Sequence, residues 1–507
     1  MIVALAAVWG GLGTEAAPLN QEPLDAFDEA IDVRVVTTEV VVTDSKGNRV
    51  TGLPRDAFRL VVDGKVMPIT YFSELGPETA SESAGQDAFG AENETTAGVS
   101  FLVFIDDVLT LVRNRDFVLE SLRAQLPELG SRDRMAIVAY DGIELAVLAD
   151  WTDSLRALEQ AVDTAMQRPG EGIKWIALRR MEDYIANWEG RATRRSVLAA
   201  AASLNSLRVP PGRKALLLIA GSWDPYEVQT AGNFRDWCYS GSCEGSGVFS
   251  ALTDAANLLN YSIYSVDVEG RDPSANWARE KRIQGALAVL ARETGGQSLL
   301  NGERRQALQI ASNDTRAYYS LGFVPGSARR DRRHRIRIRV DRPGLEVRSR
   351  ESFVTVSPER TEELEMLQAM LTGSGRRAPD FPVTVGEARP LNPWKMELEV
   401  SISVPVHELT WLPQEEEWIA RFEIQLAALD VHGSASDVVR HPMVLRRLSA
   451  PESSTFVEYP FTVTMRKRQQ SLAIYVRDQF GGEVHSGVVA VPPPPRKQAN
   501  AEALGAE

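Results

Sequence analysis

Apolar and polar positions alternate by two near both ends of the chain and recur by three and four in its middle, and this change of period divides it into parts. From about Ile31 to Phe72, "VRVVTTEVVVTD" and "FRLVVDGKVMPITYF" are rich in Val, Thr and aromatic residues, with turn signals at Lys46-Gly47-Asn48 and Asp63-Gly64. They predict a small β-module over residues 30–74. Ser, Glu, Ala, Gly and Thr dominate residues 75–98, the composition of a linker.

Over residues 99–314, apolar runs alternate with amphipathic segments, the pattern of a mostly parallel sheet covered by helices on both faces, an α/β domain of Rossmann-like type. Strands are predicted at 101–105, 134–140, 144–149, 214–220 and 261–267. Helical spacing joins Val118, Leu122 and Leu126; Leu252, Ala255, Ala256 and Leu259; and Ile283, Ala286, Leu287, Leu290 and Ala291, with a stop at Gly295-Gly296. Gly142 makes so tight a connection between the second and third strands that one of them is expected to be an antiparallel edge.

Residues 315–356 are β in character and rich in arginine. In "HRIRIRV", Arg335, Arg337 and Arg339 share one face and Ile336, Ile338 and Val340 the other, a row of positive charge suited either to an anionic ligand or to acidic neighbours on the same sheet. These strands are expected to pair with the 30–74 module into one sheet domain, into which the α/β domain is inserted. A helix and linker follow over 357–382, with Ser357 as N-cap, Pro358 as first helical residue and Gly373 as terminator. Residues 383–491 predict a β-sandwich: Met396, Leu398, Val400, Ile402 and Val404 face one way, and Glu397, Glu399, Ser401 and Ser403 the other. Residues 492–507 form a Pro-rich tail that reads as disordered.

A chain of 507 residues with 44% hydrophobic residues can bury several cores. Its formal net charge of −13 argues against whole-chain attraction to nucleic acid or anionic lipid, though local patches can differ from the mean. The start, "MIVALAAVWGGLGTEAAP", gives an apolar run followed by small residues at Ala16 and Ala17, which predicts a secretory signal over residues 1–18. No Lys or Arg precedes the run, and an apolar tail is the alternative. The run falls short of the roughly 20 residues of a transmembrane helix, and no later segment qualifies. In an oxidising compartment the only cysteines, Cys238 and Cys243, are expected to close a disulfide, with free thiols as the alternative. So small a loop would contribute roughly 2 kcal/mol.

Catalytic chemistry is poorly represented. None of the five histidines precedes Arg333, and no HExxH, GxSxG or P-loop pattern occurs. The remaining candidate is "VSFLVFIDDVLTL", which ends on Asp106 and Asp107 where loops at the carboxyl ends of parallel strands converge on a crevice. Carboxylate and hydroxyl oxygens there could hold a hard divalent ion; otherwise the two aspartates cap helix N-termini or face solvent.

Three stretches resemble von Willebrand factor type A domain proteins, specifically the subgroup described as VWFA-related acidobacterial domain proteins. They are "VVVTDSKGNRVTGLPRDAFRLVVDGKVMPITYFSE", "VFIDDVLTL" with the α/β pattern after it, and "LAVLARETGGQSLL" followed by "AYYSLGFVPGS" and "HRIRIRVDRPGLEVRSRESF". The resemblance implies a metal-ion-dependent adhesion site: Asp-x-Ser-x-Ser after the first strand, a Thr from a later loop, and an Asp after the central strand. Asp106 matches the leading aspartate, Val108 stands where the first Ser belongs, and Thr110 replaces the second. "GEGIKWIA" offers Lys174 in place of the Thr, and Ala220-Gly221-Ser222 stands where Thr-Asp-Gly is usual, leaving Asp224 to reach back. The set Asp106, Asp107, Thr110 and Asp224 is thus a degenerate metal site, expected to hold no resident cofactor and at most weak Mg or Mn. The expected function is that of an exported, non-enzymatic protein that binds protein or cell-surface ligands and not nucleic acid. A metal-dependent adhesion switch using Asp106 and Thr110 is the alternative, and an envelope hydrolase a remoter one.

Overall fold

The computed structural model describes residues 4–6, 35–76, 98–170, 182–206, 212–225, 249–269, 277–325, 332–355, 357, 363, 366, 370, 381–414, 417–430, 436–449 and 455–494. Most of the expected signal and linker, Lys174, both cysteines and the tail beyond 494 lie outside the described residues, as does most of the helix expected after Ser357, of which Glu363, Met366 and Met370 are helical. The chain divides into two compact units, Ala30–Thr361 and Met1–Glu29 with Glu362–Glu507.

The first strand, β1 (Ala4–Ala6), belongs to the second unit. The first unit opens with β2 (Val36–Asp44), β3 (Phe58–Val62), β4 (Lys65–Met67) and β5 (Tyr71–Leu75). Its mixed α/β part runs β6 (Ser100–Asp106), α1 (Val112–Gln125), β7 (Arg134–Tyr140), β8 (Leu145–Thr152), α2 (Leu155–Gln167), α3 (Glu182–Ser206), β9 (Lys214–Ala220), α4 (Ser250–Leu258), β10 (Tyr261–Asp267), α5 (Trp277–Glu293), β11 (Ser298–Leu299) and α6 (Ala307–Thr315). The six strands lie in the order β11-β10-β9-β6-β7-β8. Pairing is parallel at β6 with β7 and β9, and at β10 with β9 and β11; β8 pairs antiparallel with β7 across Gly142, whose φ is +98°.

Every residue of β6 is buried, because both faces of the sheet are covered. Leu102 and Phe104 pack with Val197 and Leu204 of α3, Leu252 of α4 and Leu287 of α5. Phe101, Val103 and Ile105 pack with Val118 and Leu122 of α1, Leu158 of α2 and Leu308 of α6. Helices α2, α3 and α6 and strand β11 add to the elements read from the pattern.

After α6 come β12 (Tyr318–Phe323), β13 (Arg332–Val340), β14 (Leu345–Ser349) and β15 (Ser352–Thr355). They join the first strands in two four-stranded sheets, β14-β2-β12-β5 and β15-β13-β3-β4, around Val40, Leu60, Leu321, Ile336 and Phe353. Charged contacts tie these sheets to the α/β part. Buried Asp314 of α6 takes Arg49 and Arg348, Arg213 pairs with Glu39 of β2 at 2.9 Å, and Arg350 donates to the Asn257 carbonyl at 2.8 Å and to Asn260 Oδ1 at 2.7 Å.

In the second unit β16 (Val383–Val385), β17 (Arg389–Pro390), β18 (Lys395–Val404), β19 (Leu412–Gln414), β20 (Glu417–Asp430), β21 (Val439–Arg447), β22 (Val457–Arg466), β23 (Gln470–Asp478) and β24 (Val484–Val491) build two sheets. One is β1-β22-β18-β16 with β17 on β18; the other is β19-β20-β23-β24 with β21 on β20. The alternation in β18 places Met396, Leu398, Val400, Ile402 and Val404 in the shared core, against Phe422, Ile424, Phe461 and Leu472. β1 pairs with β22 through Ala4↔Val463, Leu5↔Thr462 and Ala6↔Phe461, so part of the apolar run at the chain start is an edge strand here.

Candidate binding crevice at the end of the central strand

Counted along the α/β part, the sheet order is 3-2-1-4-5-6, and it reverses between β6 and β9. Loops leaving adjacent strands at such a point turn to opposite faces and leave a crevice. The turn after β6 begins at Asp106, which is fully buried. Its Oδ1 accepts the backbone N–H groups of Val108 at 2.9 Å and Leu109 at 3.3 Å, and its Oδ2 accepts the indole N–H of Trp223 at 2.7 Å. The Thr110 hydroxyl donates to the Asp106 main-chain oxygen. Burial pushes the Asp106 carboxyl up to about 6, against the opposing pull of the indole and backbone donors.

Asp107, buried as well, meets Arg115 Nη1 through Oδ1 and Arg168 Nε through Oδ2, both at 2.7 Å. Burial raises its carboxyl above the ordinary range even against these two guanidinium groups. Arg115 is itself fully buried in the first turn of α1, and its Nη2 donates to the carbonyls of Met166 at 3.3 Å and Arg168 at 3.0 Å. Asp224, in the turn after β9, is held by Arg282, whose Nε donates to Oδ1 at 3.1 Å and Nη2 to Oδ2 at 2.7 Å. The residue of this turn that hydrogen-bonds Asp106 is its neighbour Trp223. Asp106 and Asp107 neither face solvent nor sit at the N-cap of α1, which is Leu111, and this corrects the capping-or-solvent alternative.

Gly221 explains the missing aspartate in physical terms. A Cβ there would lie 2.6 Å from the Leu109 carbonyl oxygen and 2.9 Å from Glu269 Oε1. The turns after β6 and β9 approach closely here, and Glu269, just after β10, is tied to the first of them by accepting from the Leu111 N–H at 3.1 Å and Asn114 Nδ2 at 2.7 Å. Magnesium asks for near-octahedral oxygen donors and gives up water reluctantly. Here the carboxylate oxygens of Asp106, Asp107 and Asp224 accept from N–H groups, and the cationic places are filled by arginines. Among the described residues no group of three or more His, Cys, Asp or Glu could hold a metal ion. The described residues, with their carboxylates taken by these donors, do not fit the ion.

Trp223, Arg115, Arg168, Arg282 and Glu269 were not singled out from sequence. The only local hints were Trp223 beside Asp224 in "GSWDP" and Arg115 just after "DDVLTL". Replacing Trp223 with Phe should cost about 1–3 kcal/mol by leaving a buried carboxylate oxygen without its donor. The loss should be larger at pH near 7, where Asp106 is ionised, than near 5, where it holds its proton. In the wild type, folded Asp106 keeps its proton to about 6 while the unfolded chain releases it near the ordinary 3.8. This group's contribution therefore falls by on the order of 3 kcal/mol as the pH rises across that interval. Urea denaturation of both proteins at the two pH values checks this; equal losses would contradict it.

The arginine row lies on a separate surface. Arg335, Arg337 and Arg339 are exposed while Ile336 and Ile338 are buried, and Arg339 stands in register opposite exposed Arg59. Among the described residues no carboxylate lies within ion-pair distance of these four arginines; Arg333, one step along, pairs with Asp254 at 2.6 Å. His334 is buried, stacked on Phe353, and meets Asp63 Oδ2 through Nδ1 at 2.7 Å, with the Thr355 hydroxyl 3.4 Å from Nε2. Asp63 also accepts the Arg335 N–H at 2.9 Å, so the line pins the β3–β4 turn to β13.

No family model matches the sequence, and no curated protein matches it. Solved structures similar to this chain include the von Willebrand factor domain of a type V pilus tip protein from Porphyromonas gingivalis, with 13% identity, TM-score 0.27, and 43% of this chain and 95% of that one covered. An aerotolerance-related membrane protein from Bacteroides fragilis matches at 9% identity and TM-score 0.26 over 43% of this chain and 98% of that one. A von Willebrand factor type A protein from Catenulispora acidiphila matches at 10% identity and TM-score 0.26, covering 78% and 66%.

Proposed function

We propose that this chain is a non-enzymatic binding protein, exported to the cell envelope or beyond, whose α/β domain is of the von Willebrand factor type A kind and works without a resident metal. The supporting observation is the state of the crevice: the Trp223 indole and the guanidinium groups of Arg115, Arg168 and Arg282 take up the carboxylates that would otherwise coordinate an ion. Ligand contacts then come from the loops around the crevice. Arg168 and Arg282, both partly exposed, present positive charge there. A protein or surface ligand bearing carboxylates would join these pairs at the exposed edges of the two guanidinium groups, which already hold Asp107 and Asp224. The unpaired row of Arg59, Arg335, Arg337 and Arg339 offers a second acidic-ligand surface.

The test is a pull-down from envelope material with the full chain, with and without chelator. Capture of the same protein or surface partners in both, weakened by Arg168→Gln, is the expected result. Capture that disappears with chelator would favour the metal-dependent switch through Asp106 and Thr110. Turnover of peptide or glycan substrates in an activity screen would favour the hydrolase. Intact Met1 in secreted material would count against removal of a leader.

A further inference from the structure

We propose that one end of the C-terminal sandwich, where the β17–β18 and β22–β23 hairpins meet, is a membrane-contacting tip that takes the surface of an anionic bilayer. Two large apolar side chains stand in solvent there, Trp394 with 80% and Leu391 with 56% of its surface exposed. Both belong to the turn between β17 and β18, and neither has a place in the core beneath. The turn is held rigid: Leu391 N–H donates to the Lys395 carbonyl at 3.0 Å, and Asn392 Oδ1 accepts from the N–H groups of Trp394 at 2.9 Å and Lys395 at 2.8 Å. The second hairpin is bound to it directly, through the Lys467 N–H donating to the Trp394 carbonyl at 2.8 Å.

That bond joins the backbone of Lys467, an exposed residue, to the turn that carries the exposed indole. Arg466 and Arg468 flank Lys467 and share the buried carboxylate of Asp430, at 2.9 and 3.4 Å. Among the described residues no ion pair engages Lys395 or Lys467. In a chain of net charge −13 the tip sets apolar side chains at its point and Lys395, Lys467, Arg466 and Arg468 around its base, with Asp430 and Glu397 as the nearby carboxylates. A lipid interface has the matching structure: Trp favours the headgroup level, Leu the acyl boundary just beneath, and Lys and Arg the phosphates. The repulsion of the remote acidic surface is screened beyond roughly 8 Å at physiological salt. The tip is independent of the crevice and holds whether or not that crevice binds ligand.

The experiment is co-sedimentation of the full chain with vesicles of phosphatidylcholine containing phosphatidylglycerol, and with vesicles of phosphatidylcholine alone. The expected result is binding to the anionic vesicles that weakens with salt, falls by roughly tenfold or more in the Leu391→Ser/Trp394→Ser double variant, and falls by roughly fivefold in Lys467→Gln. Trp394→Phe should keep most of it, and unchanged circular dichroism guards against misfolding of the double variant. No sedimentation with anionic vesicles, equal binding to the neutral ones, or full binding by the folded double variant would each overturn the proposal.

Discussion

Substituting Met for Arg115 lowers the unfolding free energy of the Ala30–Thr361 unit by about 3 kcal/mol, the low end of the cost of breaking a buried ion pair. The estimate is set at the low end because Asp107 keeps Arg168 as a partner. Loss is still large for two reasons. Asp107 is buried and would retain half of its compensation, and the Met166 and Arg168 carbonyls would lose a shared donor. Met fills much of the vacated volume, so the drop reports charge and hydrogen bonding more than a cavity. Denaturant unfolding followed by a probe in the α/β part measures it. A loss under about 0.5 kcal/mol, the usual size for a surface change, would show that Arg115 does not carry the turn after β6.

Asp314→Asn is the second large change, and it acts on the junction between the α/β part and the flanking sheets. Asp314 is buried on α6 and takes Arg49, Arg348 and the Tyr264 hydroxyl, so neutralising it withdraws the common partner of three groups. Arg49 and Arg348 are each about a quarter exposed and can turn to water, which again sets the expected cost at about 3 kcal/mol. The change should also alter acid sensitivity. Burial works to raise the Asp314 carboxyl, but Arg348 and Arg49 prevail and hold it below the ordinary 3.8. Its stabilising contribution is therefore present above that value and lost as the pH falls through the folded one. The variant should show a flatter stability profile in acid and faster amide exchange in β2 and β14. Wild-type exchange in those strands would indicate that other contacts hold the junction.

The parts legible in the sequence are those in which the signal is local. β13 and β18 alternate within nine or ten residues, and the alternation alone separates Ile336 and Ile338 from Arg335, Arg337 and Arg339. β6 is an unbroken apolar run and could be placed to within a residue at each end. Helix α3 was not visible because "EDYIANWEGRATRRSVLAAAASLNS" is Ala-rich with an internal Gly, and its apolar stripe does not stand out. The crevice was half legible. Asp106 marked its position, but what satisfies Asp106 is Trp223, 117 residues away, and no spacing rule links an indole to a strand-end carboxylate. Likewise, Gly221 looked like a lost ligand in sequence, whereas the Leu109 carbonyl 2.6 Å from its would-be Cβ shows a site with no room for one.

In the proposed function, N–H donors and guanidinium groups, not a divalent ion, complete the crevice. A metal that bound the folded state alone would stabilise it in proportion to the logarithm of its concentration over its dissociation constant. Thermal unfolding of the full chain with about 10 mM magnesium or manganese, set against chelator, therefore tests the claim most directly. The predicted result is no shift of melting temperature between metal and chelator, in the wild type and in Asp106→Ala alike. A saturable rise with metal in the wild type that disappears in Asp106→Ala would contradict it.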